Sequence, residues 1–447
     1  MGLIDILVFP VYVLLFALIF LIRRNSIQDP VLKKYQRQGF WIKIVSTISF
    51  IIFSTYIARG DSMYLYYPEG INIAKLIVKD FSNIQLLFDA GKDFDQNLLA
   101  DSFNKGYFNS ESNYFIARLV AVLSFFTFGS YSAITLIFSM ISYAGVWRLY
   151  KFFYEQYPHL HRQFAIAILY LPTFVFWSSG ILKDPLCTGM IGFLTFSVYN
   201  VLIKRKSVFK NSIVAILSAG ILGIIKLYIL ISYLPFLLLF VVLHYVKSAT
   251  AFITKGILLA TVAIILGFGI YLFADKLKEE MGDFALDKIA TSVKTTQVNF
   301  ENISSQAESS FSLGVDFDGS PTSLLKIAPA AIAATLFRPY LWESKKLSTL
   351  LSSVESLVLI FFTIYVLFKV GPVSIAVGFV KNPLILCCFS FAILFALFVG
   401  ATTLNFGTLV RYKVPCIPFY IISLVLLLHQ KKNVLLIQPT LVPANNV

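Results

Sequence analysis

Long apolar runs alternate with short polar segments along most of the chain. The runs assigned to membrane spans cover residues 3–22, 41–59, 131–150, 163–177, 185–203, 212–246 (two pieces separated by Lys226), 252–273, 349–369, 384–401 and 413–429. A helix needs about 20 predominantly apolar residues to cross a bilayer. The pattern predicts an all-α fold, a polytopic transmembrane helical bundle of about ten spans (ten to twelve), as a single transmembrane domain over residues 1–447.

Two further apolar stretches are harder to assign. Residues 113–129 are short and contain Arg118, and counting them as a span would invert every later segment. We predict a helix that dips into the outer leaflet or packs beside the bundle. Residues 322–337 form an apolar helix next to a polar loop, and the pattern does not decide whether they span.

The charges predict which face each polar segment occupies. Residues 60–112 and 275–323 hold eight and nine of the 23 acidic residues, whereas the segments 23–40 and 204–211 are basic. Basic loops are typical of the cytoplasmic side. The two long acidic segments are therefore predicted to be outer-face loops, and residues 433–447 a loose cytoplasmic tail.

Composition supports a membrane protein and argues against nucleic acid as a partner. Hydrophobic residues make up 58% of the chain and charged residues 13%, whereas a soluble domain carries about 25% charged residues. The net charge of +14 is gathered in short segments between apolar runs, which indicates orientation and contact with membrane lipids. The cysteines and histidines lack metal-ligand spacing, so no cofactor is predicted and a divalent metal is not indicated.

The most informative polar stretch begins where the second apolar run ends. Residues 60–69 read Gly-Asp-Ser-Met-Tyr-Leu-Tyr-Tyr-Pro-Glu. A carboxylate in this position, Asp61, suits the deprotonation of an acceptor hydroxyl. The same pattern is also typical of a helix end in the headgroup zone, with Asp61 in water and Tyr64 in an aromatic belt.

Three other clusters carry cations on the predicted outer face, one each around Lys183, Arg338 and Arg411. Lys183 and Asp184 lie in a tight turn and could equally cap a helix. Arg338 lies in the segment 337–343, which also contains Tyr340, Trp342 and Glu343. An aromatic belt with a snorkelling arginine, or an Arg338–Glu343 pair, is the structural alternative there.

Two more cations complete the candidate set. Arg411 begins the segment Arg-Tyr-Lys-Val-Pro, where positive charge opposes the cytoplasmic bias. Lys226 is flanked by apolar runs, and an ionisable group inside a membrane segment indicates function by default; Glu355 is a candidate counter-ion. A phosphate or pyrophosphate is the simplest common ligand, because arginine offers a bidentate fork and lysine a point charge.

These motifs resemble known membrane enzymes. The segment around Asp61 resembles the first outer loop of the GT-C class of glycosyltransferases. The segments Phe337 to Glu343 and Arg411 to Phe419 resemble bacterial polytopic proteins related to that class. The resemblance covers residues 60–206 and 321–419. The chain departs from the class by lacking a second acid beside Asp61 and from its large two-domain members by lacking a soluble C-terminal domain.

The resemblance implies a GT-C-like fold and a glycosyltransferase in the bacterial plasma membrane with its active face outward. The donor would be a sugar on polyprenyl phosphate or pyrophosphate, and the acceptor a glycan, lipid or protein. Asp61 is the expected general base; Arg338, Arg411, Lys183 and Lys226 are expected to hold the donor phosphate. The supporting residues are expected to be Tyr64, Tyr340, Trp342, Glu343 and Asp184.

Two alternatives stay open. A polysaccharide polymerase or ligase would move whole repeat units between polyprenyl-pyrophosphate carriers with the same cations and loops. A lipid-linked glycan flippase or other transporter would be no enzyme; Lys226 and the short run before it fit that class, whereas we find no internal repeat.

Overall fold

The computed structural model describes residues 2–58, 60–89, 98, 106–248, 311–314, 321–344 and 346–437. The predicted span 252–273 and most of the predicted loop 275–323 lie outside these ranges. Helices and connecting turns make up the described residues, without a β-strand among them, so the all-α prediction is confirmed. The chain divides into two compact units, Met1–Ile231 and Ser232–Val447, which we describe separately.

In its described residues, the first unit contains nine α-helices and the start of a tenth. They are α1 (Leu3–Asn25), α2 (Pro30–Ile52), α3 (Tyr67–Lys79), α4 (Glu111–Thr127), α5 (Tyr131–Gln156), α6 (His161–Ala165), α7 (Pro172–Trp177), α8 (Lys183–Val198), α9 (Val208–Ile225) and α10 (Leu227–Ser248). Short π-helical turns extend α2 over Phe53–Ile57 and α8 over Tyr199–Lys204. A 3₁₀ helix follows α3 at Phe81–Leu87.

Among the residues that the structure describes, the second unit contains the rest of α10 and six further α-helices. They are α11 (Pro321–Phe337), α12 (Leu347–Val370), α13 (Pro372–Lys381), α14 (Pro383–Thr402), α15 (Phe406–Tyr412) and α16 (Ile417–Ile437). Helix α11 packs closely on α14, since a Cβ atom added to Gly400 would lie 2.0 Å from the carbonyl oxygen of Ala331. Helix α16 continues through residues predicted as the start of a loose tail, and residues 438–447 lie outside the described ranges.

The multi-pass membrane prediction is supported by helix length and hydropathy. Within the described ranges, eight helices are long and apolar enough to cross a membrane: Leu3–Asn25, Pro30–Ile57, Tyr131–Gln156, Lys183–Lys204, Val208–Ile225, Leu227–Val246, Thr349–Val370 and Pro383–Thr402. A ninth is added if Phe406–Tyr412 and Ile417–Lys431, bent by 59°, form one span.

The predicted span 163–177 is not one continuous helix. It divides into α6, a π-helical turn at Ile166–Tyr170 and α7, which starts at Pro172. Proline is favoured in the first turn of a helix but cannot donate the hydrogen bond that would continue the preceding one. The apolar run is therefore long enough to suggest a span but contains a helix start.

The second span begins earlier than predicted. The side chain of Asp29 accepts hydrogen bonds from the backbone of Val31 at 2.8 Å and Leu32 at 3.3 Å, and Pro30 is the first residue of α2. This N-cap and proline start the helix inside the basic segment that we interpreted as a cytoplasmic loop.

Helix α4 contains most of the ambiguous stretch 113–129. It packs against α3 and α9, and Ile116, Ala117, Val120 and Ala121 are fully buried. A Cβ atom on Gly70 of α3 would lie 2.5 Å from the Cβ of Val120. This close approach makes α4 an integral part of the first unit.

Helices α5 and α8 form the closest pair in the first unit. A Cβ atom on Gly145 would lie 1.9 Å from the carbonyl oxygen of Gly189, and one on Gly192 would lie 2.0 Å from that of Gly145. The hydroxyls of Ser142 and Thr188 are 3.0 Å apart in the same seam. Small residues allow helix backbones to approach in membrane proteins, so these glycines set the register of α5 on α8.

Candidate functional site

Asp61 lies between two π-helical turns, Phe53–Ile57 and Ser62–Tyr66. The hydroxyl of Tyr131 is 2.7 Å from the Ser54 hydroxyl and 2.9 Å from the Ser62 hydroxyl. Tyr131, the first residue of α5, therefore ties together the chain before and after Asp61. Asp61 itself is half-buried, and π-helical turns occur frequently at functional sites.

A hydrogen-bond network joins the segment after Asp61 to the start of α4. Tyr66 donates to the side-chain oxygen of Asn113 at 3.1 Å, and Tyr107 donates to the Tyr66 hydroxyl at 3.0 Å. The side-chain amide of Asn113 donates to the carbonyl of Tyr107 at 2.7 Å. Tyr66 is buried, whereas Tyr64 is 46% exposed, so the network fixes the backbone and leaves Tyr64 at the surface.

Lys183 reaches the same part of α4 from the start of α8. Its ammonium donates to the hydroxyl of Ser112 at 2.6 Å, and the hydroxyls of Ser110 and Ser112 are 2.8 Å apart. Since Ser112 is adjacent to Asn113, the turn that carries Lys183 and the turn that carries Asp61 meet at α4. We call this group of Asp61, Tyr66, Ser112, Asn113 and Lys183 the Asp61–Lys183 cluster.

Asp184 and Lys226 form a buried ion pair. The Lys226 ammonium is 2.6 Å from Asp184 Oδ1, and the side chains are 7% and 2% exposed. Lys226 lies between α9 and α10 with a non-helical backbone (φ −152°, ψ 78°). Asp184 lies in the first turn of α8, where the helix dipole favours a carboxylate. The structure thus gives Lys226 a partner that the sequence analysis did not consider.

This pairing affects the candidate roles of the two lysines differently. A buried ion pair is stable only when each charge keeps its partner, so the charge of Lys226 is already compensated by Asp184. Lys183 is half-buried, and its ammonium donates to the Ser112 hydroxyl. Because Lys183 is less deeply buried than Lys226, it is the better placed of the two to meet an anionic ligand.

In the second unit, Arg338 pairs with Glu343. Its Nε lies 3.0 Å and 3.2 Å from the two carboxylate oxygens, and its Nη2 also contacts Glu343. Its Nη1 donates to the carbonyl of Ser312 at 3.0 Å. The carboxylate also accepts from the backbone of Tyr340 at 2.8 Å. The structural alternative considered for Arg338 is therefore present.

Aromatic rings surround the same guanidinium. Its carbon lies 4.5 Å from the ring centroid of Phe311, 5.2 Å from that of Phe406 and 5.9 Å from that of Tyr340. The rings of Phe311 and Phe406 are stacked with centroids 4.5 Å apart. Cation–π contacts add to the ion pair, so Arg338 joins three separate segments of the second unit.

Tyr340 and Trp342 pack directly against each other. Their rings are stacked with centroids 5.0 Å apart and an interplanar angle of 25°. An acyl chain does not fit between rings in contact. Trp342 is 80% exposed, so its second face remains accessible.

Lys413 is a candidate that the sequence analysis passed over in favour of Arg411. It is 3% exposed, and its ammonium donates to the carbonyl of Arg338 and to the hydroxyl of Ser356, both at 2.9 Å. Glu355 is close enough to interact with its charge. Arg411, two residues earlier on α15, is half-buried. The sequence did contain a signal for Lys413, because Arg411 and Lys413 belong to the same motif, Arg-Tyr-Lys-Val-Pro.

Lys43 is a second residue that the sequence analysis missed. It lies in α2, is 4% exposed, and donates to the Ser178 hydroxyl at 2.6 Å and the Val175 carbonyl at 3.4 Å. Beside it is a cavity of about 10 Å³ lined by Lys43, Tyr143 and Ser178 among others, which is room for about one water molecule. In sequence, a lysine near the start of an apolar run is typical of snorkelling.

Two observations bear on metals and other titratable groups. Among the residues that the structure describes, no three His, Cys, Asp or Glu side chains lie close enough to hold a metal ion.

Asp80, exposed just before the 3₁₀ helix, accepts from the backbone of Ser82 at 3.0 Å, and this bond lowers the pKa of Asp80. Asp80 is thus a carboxylate of the same segment as Asp61 with a different environment.

Comparison with known proteins adds no relative. No family model, no curated protein and no solved structure matches the chain.

Proposed function

We propose that this protein is a glycosyltransferase of GT-C-like fold in the bacterial plasma membrane. It would transfer a sugar from a polyprenyl-phosphate- or pyrophosphate-linked donor to a glycan, lipid or protein at the outer face. The observation that carries the proposal is the Asp61–Lys183 cluster. There the π-helical turn that follows the half-buried Asp61 is bonded to Asn113 of α4, and the half-buried Lys183 is bonded to the neighbouring Ser112.

The chemistry assigns complementary roles to that carboxylate and that cation. Asp61 takes the proton of the acceptor hydroxyl as the oxygen attacks the anomeric carbon. The bond from that carbon to the donor phosphate breaks, and the phosphate leaves with the electron pair. Lys183 stabilises the negative charge on the leaving phosphate. Inversion at the anomeric carbon is what the resemblance to the class implies.

The other expected phosphate ligands have different supporting roles in this proposal. Lys226 and Asp184 support the start of α8 as a buried pair. In the second unit, Arg411 is the half-buried cation beside Lys413, whereas Arg338 is engaged by Glu343 and Ser312. We therefore rank Lys183 ahead of Lys226 as a donor ligand in the first unit, whereas Arg338 and Arg411 stay candidate donor ligands in the second unit.

A second candidate function is supported by one observation. Lys226 interrupts the helix between α9 and α10 with a buried charge, and transporters bind substrates near such broken helices. A lipid-linked glycan flippase would move its substrate without making a glycosidic bond. A repeat-unit polymerase or ligase would make such bonds, and its product would be a series of repeating units.

The test is a transfer assay with purified protein in lipid nanodiscs. Polyprenyl-phosphate-linked sugars are supplied with candidate acceptors, and products are resolved by mass. We expect Asp61→Asn to lower the transfer rate by about 10²–10⁴, the usual contribution of a general base. Asp80→Asn, a change to another carboxylate of the same segment, is expected to leave the rate unchanged.

The outcomes separate the three functions. Normal transfer by a folded Asp61→Asn protein would return Asp61 to a role at the headgroup boundary. Movement of a lipid-linked glycan across vesicles without any new glycosidic bond would identify a flippase. Products that grow by whole repeat units would identify a polymerase.

A further inference from the structure

Helices α1, α5 and α8 of the first unit run in the same direction, and their C-terminal parts lie close together. Helix α1 begins beside the start of α5, where Asp5 accepts from the hydroxyl of Ser130 at 2.8 Å and the backbone of Ser132 at 3.0 Å. Its last turn brings Arg23 close to Arg148. Helices α5 and α8 are parallel, because residue numbers rise together along their contacts. Gly145 contacts Gly189, Arg148 contacts Phe193, and Lys151 contacts Phe196.

The far ends of these helices carry a group of cations. Arg148 donates to the carbonyl of Ala144 at 2.9 Å, and its guanidinium lies 4.5 Å from the ring centroid of Phe193. The ammonium of Lys151, one turn further on α5, lies 5.1 Å from the ring centroid of Phe196. Both cations are therefore held half-buried along the seam between α5 and α8.

Further cations surround these two. The charge of Arg23 acts on Arg148, and the charges of Arg148, Lys204 and Lys206 act on Lys151. We call Arg23, Arg148, Lys151, Lys204 and Lys206 the basic cluster. The carboxylate that acts on Lys151 is Glu155, and Lys204 already binds it at 2.6 Å. Like charges in this arrangement repel one another.

One buried donor of this region, the Nε of Arg24 next to Arg23, has no hydrogen-bond partner in the described part of the chain. The half-buried Lys151 ammonium contacts the ring of Phe196, and the carboxylate that acts on it, Glu155, is bound by Lys204. An unsatisfied buried donor destabilises the protein unless a ligand or water supplies an acceptor. A cluster that only balanced helix dipoles or oriented the chain would place its cations at the exposed helix ends. Arg148 and Lys151 instead lie in the packed seam.

We propose that the basic cluster binds a phosphate group, either on the headgroup of an anionic lipid or as a soluble phosphate. A phosphate offers acceptors to Arg148 and Lys151 and relieves their mutual repulsion. Phe193 and Phe196 provide an apolar floor beneath the two cations. Basic pockets between transmembrane helices are known to bind anionic headgroups.

This site is distinct from the proposed catalytic cluster. The Asp61–Lys183 cluster lies at the starts of α5 and α8, where Tyr131 and Lys183 are the first residues of the two helices. The basic cluster lies at the opposite ends of the same two helices. Phosphate binding here does not rest on the proposed glycosyl transfer, and either can fail alone.

The experiment measures binding of a fluorescent phosphatidylglycerol to the purified full-length protein in detergent. Arg148→Gln with Lys151→Gln is expected to weaken binding at least tenfold. Lys210→Gln, which removes an exposed lysine on α9 outside the cluster, is expected to bind normally. Lys151→Arg keeps the charge and is expected to bind within about twofold of the original protein.

Competition identifies the source of the phosphate. Displacement of the probe by unlabelled phosphatidylglycerol but not by inorganic phosphate or pyrophosphate would assign a lipid headgroup. Displacement by pyrophosphate or phosphate at comparable concentration would assign a soluble ligand. Equal probe affinity in the double variant and in Lys210→Gln would overturn the proposal. So would the absence of probe binding together with an unchanged melting temperature when phosphate or pyrophosphate is added.

Stability supplies an independent readout that does not depend on the double variant. Because the charges of Arg148, Lys204 and Lys206 repel Lys151 and the carboxylate of Glu155 is already bound by Lys204, Lys151→Gln should keep or raise the melting temperature without lipid. The same variant should lose part of the stabilisation that added phosphatidylglycerol gives the original protein. A lower lipid-free melting temperature with an unchanged lipid response would show a structural role and overturn the proposal.

Discussion

The ammonium of Lys226 and the carboxylate of Asp184 lie 2.6 Å apart although 42 positions separate them in the sequence. Both side chains are almost completely buried. The pair joins the start of α8 to the break between α9 and α10, directly beside Lys183. A charge in this place has no access to water, so its partner determines whether it is tolerated.

We predict that Lys226→Met destabilises the protein and that adding Asp184→Leu largely restores it. Removing one partner leaves an uncompensated buried charge, which typically costs about 3–5 kcal/mol, whereas replacing both with apolar residues is often neutral. The melting temperatures of the two single variants and the double variant in detergent measure this. Lys204→Met is the control, because the exposed Lys204–Glu155 pair should contribute about 0–1 kcal/mol. A double variant less stable than both singles would contradict the prediction.

The cations of the candidate site could be identified from the sequence, but their ion-pair partners could not. The cations were identified because charged residues at the ends of apolar runs are unusual. Their partners depend on which helices pack together, and the contact of α8 with α9 that joins Asp184 to Lys226 has no local sequence signal. Lys43 was missed because its position near the start of an apolar run is common for a lysine whose head reaches water.

We predict that Arg338→Ala lowers stability because it leaves Glu343 without its main partner and removes the cation–π contacts with Phe311 and Phe406. A hydrogen bond to a charged group contributes about 1.5–3 kcal/mol. Arg338→Lys retains the charge but loses the fork, so its melting temperature should lie between those of the original protein and the alanine variant.

The same variants test whether Arg338 also binds donor phosphate. Donor affinity is measured with a polyprenyl-phosphate-linked sugar on each purified protein, beside its melting temperature. A lower melting temperature with intact donor affinity would reject the phosphate role. A loss of affinity in Arg338→Lys with nearly unchanged stability would restore it.

The seam between α5 and α8 gives a packing prediction. Gly145→Ala should destabilise the protein, because the added methyl group would lie 1.9 Å from the carbonyl oxygen of Gly189 and force two helix backbones apart. Overpacking a dense core typically costs about 1–3 kcal/mol. Gly220→Ala in α9 is the matched control, since nothing lies within 4 Å of its added Cβ. That change should be neutral or stabilise by up to about 1 kcal/mol. Equal melting temperatures for the two variants would contradict the packing argument.

More of the fold than of the candidate site could be predicted from the sequence. Eight helices of sufficient length and hydropathy coincide with predicted spans, because about 20 apolar residues are difficult to place elsewhere. The predicted helix boundaries were wrong where a helix-start signal lies inside a basic segment or inside an apolar run. Asp29 and Pro30 start α2 among basic residues, and Pro172 starts a new helix inside an apolar run.

The last prediction tests the orientation on which the proposed outer-face chemistry depends. Residues 60–112 are expected outside and residues 23–40 inside, because acidic and basic segments segregate in this way. Ser82→Cys and Gln28→Cys place thiols at exposed positions in the two segments. All four native cysteines are buried and should not react. A membrane-impermeant maleimide applied to intact cells should therefore modify Ser82→Cys and spare Gln28→Cys, while both should react in opened membranes. The reverse labelling pattern in intact cells would invert the topology, place Asp61 at the cytoplasmic face and remove the proposed site from the outer leaflet.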